Sequence, residues 1–151
     1  MSVTSHVYPK AQKLINSKDI DLTSDTFKAI LFTGDASAFT ATQEGYEFIS
    51  DLATAYTEVT SGGYARVTLT SLTLTNSGAK TTWSCDDISF GSSITLSARS
   101  MAIADTSIGS AVDSATPVIC VIDFGATVSS TAGNWAYDID GTNGLATWTS
   151  S

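Results

Sequence analysis

The run 118–124, VICVIDF, constrains this chain more than any other stretch. It is apolar except for Asp123, rich in β-branched residues, and bounded by Pro117 and Gly125. That is the pattern of a strand covered on both faces. A second run, 26–32, sets Phe27, Ala29 and Leu31 against Lys28, Ile30 and Phe32, so its later part is apolar on both sides. Two such strands need covering layers. A chain of 151 residues can supply them in one domain, burying roughly 70% of its extended surface. Ser and Thr make up about three residues in ten, which favours strands and polar turns over helices.

Around these two runs the remaining segments fall into order. Residues 1–7 read as an N-terminal arm and 8–151 as a single β domain. Tyr8-Pro9 opens a short helix, with Val7, Ala11, Leu14 and Ile15 on one face. Residues 34–45 carry no pattern, Tyr46, Ile49 and Leu52 have the spacing of a helical turn or two, and 55–59 reads as a short strand stopped at Ser61-Gly62-Gly63. Between 64 and 75 the apolar parity changes, with Val67 and Leu69 odd but Leu72 and Leu74 even. This predicts a bulge or bend near Thr70-Ser71, since a strand cannot slip by one residue without exchanging its faces.

Further on, Asn76-Ser77-Gly78 turns into 80–85, where Thr81, Trp83 and Cys85 share a face. Ile88 to Phe90 resumes, and 94–104 is a long strand with a second parity change between Leu96 and Met101. Residues 106–115 form a small-residue loop. Residues 129–133 read as a turn, 135–139 as a new strand, 140–144 as a hairpin turn, and 145–149 as a closing strand. No helix-strand alternation is present. The predicted fold is therefore all-β, an antiparallel β-sandwich or barrel-like domain with a short N-terminal helix.

The net charge of −8 disfavours nucleic-acid backbones and anionic membrane surfaces alike. No apolar run reaches membrane-spanning length and the N-terminus lacks a signal-peptide core, so the expectation is a protein made in a cytosol and kept soluble. Cys85 and Cys120 then read as buried free thiols, with a disulfide between them as the alternative. His6, the single histidine, falls in the arm, where a nucleophile-base pair cannot be held rigidly. Asp86-Asp87 are turn or cap residues. Asp123 needs a partner, for which Arg66 and Arg99 are the two arginines available. Asp138, Asp140 and Thr142 space oxygens like the start of a calcium loop. Asn143 and Thr149, however, stand where such a loop needs Gly and Glu, so the reading is a turn. Trp83, Trp135, Trp148, Tyr56 and Tyr64 read as core rather than as a sugar-stacking platform. The expectation is a non-enzymatic protein without cofactor or metal.

Several segments, in order, resemble a family of small virion proteins of tailed bacteriophages, common among phages of actinobacteria. They are Ile15 to Leu22 (INSKDIDL) with Asp25 to Leu31 (DTFKAIL), Glu58 to Tyr64 (EVTSGGY), Asp86 to Phe90 (DDISF), Leu96 to Ile103 (LSARSMAI), and Ile122 to Gly133 (IDFGATVSSTAG). Ala65-Arg66 stand where the family has Gly-Gly, and Ser100 where it has an aromatic residue. The resemblance implies a capsid-associated structural protein on the virion, assembled in the host cytoplasm. The expected role is head decoration: binding the major capsid protein of the assembled shell and bridging neighbouring subunits, with a homotrimer at local three-fold positions. A tail or baseplate component and a carbohydrate-binding adhesin are the alternatives. Val7, Tyr8, Lys10 and Lys13 are the candidate capsid or oligomer contacts, because an N-terminal arm can drape over a neighbour.

Overall fold

The computed structural model describes residues 4–34, 41–60 and 62–149. The predicted all-β antiparallel architecture with a short N-terminal helix is what it shows, and it takes the form of two sheets. In chain order the elements are β1 (Thr4–Val7), α1 (Pro9–Asn16), β2 (Phe27–Phe32), α2 (Ala41–Glu44), α3 (Ile49–Leu52), β3 (Val67–Thr68) and β4 (Thr73–Ser77). They continue with β5 (Lys80–Ser84), β6 (Ile88–Asp105), a 3-10 turn (Gly109–Ala111), β7 (Val118–Tyr137) and β8 (Ala146–Thr149). Five strands form one antiparallel sheet, in the order β1-β7-β6-β2-β3, and three form a second, β4-β5-β8. No helix among the described residues is long and apolar enough to cross a membrane.

The sheets meet where Phe27 of β2 packs edge-on against Trp83 of β5, with centroids 4.9 Å apart. Trp83 is fully buried, and its indole N–H donates to Leu22 O at 2.8 Å, which satisfies the one polar atom of that side chain. α1 begins at Pro9, whose missing N–H costs nothing in a first turn, and it lies on β7 with Ala11 buried. Ile49 and Leu52 of α3 are buried as their spacing predicts, and Ile49 N donates to Thr116 O.

The parity change near Thr70-Ser71 is where the chain leaves one sheet for the other. β3 ends at Thr68, Ser71 takes a positive φ of 55°, and β4 starts at Thr73. Asp86 ties the crossover, accepting from Ser71 Oγ at 2.5 Å and Thr70 Oγ1 at 3.2 Å. Asp87 likewise accepts from Ile139 N at 2.8 Å.

Five expectations need correction. Residues 4–7 of the expected arm are an edge strand, β1, pairing with Cys120 to Asp123; residues 1–3 lie outside the described residues. Residues 55–59 make a single bridge, Phe32 to Glu58, rather than a strand. Residues 34–45 include the short helix α2, with 35–40 outside the described residues. Residues 129–133 are not a turn, since β7 runs unbroken from Val118 to Tyr137. The turn at 140–144 is no hairpin either, because β8 pairs with β5 of the other sheet.

The parity change between Leu96 and Met101 has a different cause from the one at Thr70-Ser71. Even-numbered residues from Ile88 to Ser100 stay on the buried face apart from Ser92, and from Ser100 onward the odd-numbered residues are buried too. The strand does not slip; its second face becomes covered. The register irregularity sits on β7. Between Ala98↔Val128 and Ser100↔Asp123, β6 advances two residues while β7 advances five. Gly125 takes φ +75° within this bulge, a conformation closed to most side chains. The bulge bends the long hairpin back on itself. Eleven residues of straight strand would span about 36 Å, yet the rings of Phe124 and Trp135 are 5.7 Å apart. Tyr64, Phe90 and Tyr137 complete this aromatic cluster. The folded-back ribbon is pinned at Gly62, where a Cβ would lie 1.5 Å from Thr95 O.

Candidate functional site

The N-terminal residues expected to contact a partner divide into two groups. Val7 is half-buried in β1, opposite Cys120. Tyr8 has no exposed surface; its N–H donates to Ile119 O at 3.0 Å, and burial drives its phenol pKa upward. Tyr8 is thus a core residue without surface to offer a neighbour, whereas Val7 keeps part of its surface. Lys10 and Lys13 are exposed on α1. Lys10 Nζ lies 3.0 Å from Glu47 Oε2, a surface pair of little energetic weight. Among the four candidates, only the two lysines are fully exposed, on a helix that is itself fixed to the sheet.

Asp123 is paired with Arg99, not Arg66: Nη1 and Oδ1 are 2.7 Å apart, with the side chains 14% and 5% exposed. The pair sits at the start of the β7 bulge, where the second face of β6 becomes covered. It neutralises the one charge in the central strand and fixes the bend. Its place inside the core makes it structural.

Arg66 forms a separate clamp. Its guanidinium donates to both carboxylate oxygens of Glu58, at 2.8 and 2.7 Å, and to both of Asp113, at 2.7 and 2.9 Å. Tyr64 Oη donates to Glu58 Oε1 at 2.9 Å and accepts Leu31 N at 3.1 Å. Hydrogen bonding to Arg66 holds the Asp113 carboxyl below its ordinary range. Two carboxylates engaged this way by one arginine tie loops together. The two departures from the virion-protein pattern therefore both make local polar contacts: Arg66 in this clamp, and Ser100, which is buried and donates to Gly34 O at 2.8 Å.

Beside the clamp runs a groove of about 450 Å³ between the 57–60 segment and the folded-back ribbon. Its lining includes Thr33, Thr57, Thr95, Ser97, Ser129 and Thr131, together with Glu58. Sequence reading missed it because its two walls are far apart in the chain and meet only through the bend.

The remaining chemical candidates are absorbed by local structure. His6 lies in β1 rather than in a mobile arm. Asp140 accepts from Thr142 N at 2.8 Å and Asn143 Nδ2 at 2.7 Å, and these bonds lower its pKa. Among the described residues no group of three or more His, Cys, Asp or Glu side chains is placed to hold a metal ion. Cys85 and Cys120 are free thiols, both pushed up to about 12 chiefly by burial. Trp83 and Trp135 are buried, and half-buried Trp148 donates its indole N–H to Gln12 Oε1. The chain matches no family model, no curated protein and no solved structure.

Proposed function

We propose that this chain is a structural protein of a phage virion, and specifically a head decoration protein. In this role it binds the major capsid protein of the assembled shell, bridges neighbouring subunits and clusters as a trimer at local three-fold positions. The observation that carries the reading is the ordered set of virion-protein motifs from Ile15 to Gly133. Their positions in the fold support it. The Asp86-Asp87 motif ties the sheet crossover, and the Arg99 and Asp123 motifs meet in the buried pair that sets the bend of the hairpin. These are structural roles, which suits a non-enzymatic protein. Lys10 and Lys13, exposed on α1 of an otherwise acidic chain, are the contacts offered to an acidic patch of the shell. A ligand that binds the assembled lattice alone stabilises it by mass action.

Quantitative mass spectrometry of purified virions tests the reading. On the order of hundreds of copies, in simple ratio to the major capsid protein, is the expected result, because shell symmetry repeats the site. A few copies would instead support a tail or baseplate component, and absence from the virion would overturn both.

A further inference from the structure

Asp105, the last residue of β6, has no exposed surface, yet its Oδ2 has no hydrogen-bond partner. A carboxylate buried in that state is costly, and in native proteins it is met by a cationic side chain, a metal ion or ordered water. The other oxygen is fixed, since Oδ1 accepts Ser107 N at 2.8 Å. Among the described residues no lysine or arginine forms an ion pair with Asp105.

A second carboxylate stands there instead. β2 and β6 pair Phe27 with Asp105. Their contact continues past the strand ends, where Thr106 N donates to Thr26 O at 2.8 Å and Thr26 N to Ser107 Oγ at 2.6 Å. Asp25, two residues before Phe27, falls on the side of Asp105, and its carboxyl is near enough to repel that of Asp105. Asp25 is half-buried, and its Oδ2 accepts Asp21 N at 2.6 Å. Each carboxylate is thus oriented through one oxygen by a backbone N–H, as metal-ligating carboxylates are. Like charges held together in this way need a positive charge between them. A shared proton would cancel only one of the two.

We infer that Asp25 and Asp105 hold a hard divalent cation, calcium or magnesium, which ties the entry of β2 to the end of β6. Both donors are carboxylate oxygens, and these select hard ions over zinc or copper. The set is smaller than the three-residue groups that the described residues lack, so water completes the coordination shell. Affinity is correspondingly low, with a Kd on the order of 1 mM. The net charge of −8 raises the concentration of cations near the chain and favours such a ligand over any anion. This inference does not rest on the virion reading.

Urea midpoints of the full chain at neutral pH test it, measured in EDTA, in about 10 mM calcium or magnesium chloride, and in sodium chloride of equal ionic strength. Wild type is compared with Asp25→Asn, Asp105→Asn and a control, Asp140→Asn, whose carboxylate belongs to the 140–144 turn. One or both divalent ions should raise the wild-type midpoint beyond the sodium chloride value, the larger rise identifying the preferred ion. Each site substitution should weaken binding of that ion, titrated by calorimetry, roughly tenfold or more, while the control leaves it unchanged. Asp25 is partly in solvent, so its variant carries the test even if Asp105→Asn does not fold. A midpoint that moves no further than in sodium chloride overturns the proposal and leaves the pair to a proton or to water. So does a rise that survives the site substitutions or disappears with the control.

Discussion

The two halves of the β6–β7 hairpin use the same pairing for different ends. Near Ser100 to Asp105 and Val118 to Asp123 both faces are covered, and every residue is buried. From Ile88 to Ala98 and Val128 to Tyr137 one face holds Ile88, Phe90, Ile94, Leu96 and Trp135, while Ser and Thr cover much of the other. The first half is core. The second is a lid of the same two strands, folded back across its own sheet. The difference shows how a β protein builds a second layer without a new element: a bulge, a glycine and a buried ion pair at the bend suffice.

The largest effect is expected at the junction itself. Asp123→Ala leaves the Arg99 guanidinium buried without its counter-charge and should cost about 4 kcal/mol, read as a lower urea midpoint. An undiminished midpoint would mean that the bend does not depend on the pair.

Next comes the contrast between the halves. Ile103→Ala, in the doubly covered half, should cost about 3–4 kcal/mol, and Ile94→Ala, in the ribbon, about 2 kcal/mol, because a one-sided layer can settle into the space left. Equal losses would show that the ribbon is as firmly packed as the core.

pH sharpens the comparison at the end of β6. Asp105 is buried, and burial together with the neighbouring Asp25 carboxylate pushes its pKa up to about 6, against the pull of Ser107 N–H. The folded state thus holds this proton more tightly than the unfolded chain does. The stability it contributes is fully present below about pH 4 and is lost as pH rises through about 6. Urea midpoints of wild type should therefore fall between pH 4.5 and 7 relative to those of Asp105→Asn; parallel curves would remove Asp105 as the cause.

The smallest effect belongs to the ribbon's outer face. Ser97 and Ser129 share a hydroxyl contact of 2.6 Å in solvent, and Ser97→Ala should change stability by about 0.5 kcal/mol or less.

Much of this architecture was legible in the sequence because burial leaves a local signature. A strand covered on both faces cannot carry alternating polar residues, so 118–124 and 26–32 announced the centre of the sheet. The parity break near Thr70-Ser71 marked a bend, though not that the chain changes sheets there. Trp83 and Trp135 read correctly as core. The candidate contacts were less legible: Lys10 and Lys13 reach solvent, but Tyr8 does not, because strand pairing by β1 draws the start of the chain into the sheet. Similar local patterns also had different causes. The break between Leu96 and Met101 marked a newly covered face, and the Ser-Thr run at 129–133 was the solvent side of a strand rather than a turn.

What the sequence determined by itself was where the two doubly covered strands run, which faces are apolar, and that Asp123 requires a cation. Tertiary structure alone decided that Arg99 is that cation, that Arg66 instead joins Glu58 to Asp113, and that residues 128–137 fold back over the sheet. The reason is one of range. Periodicity is imposed residue by residue through contact with whatever layer lies above, so it records that a face is covered. It cannot record which distant segment covers it, because that is settled only when strands far apart in the chain pair and bend together.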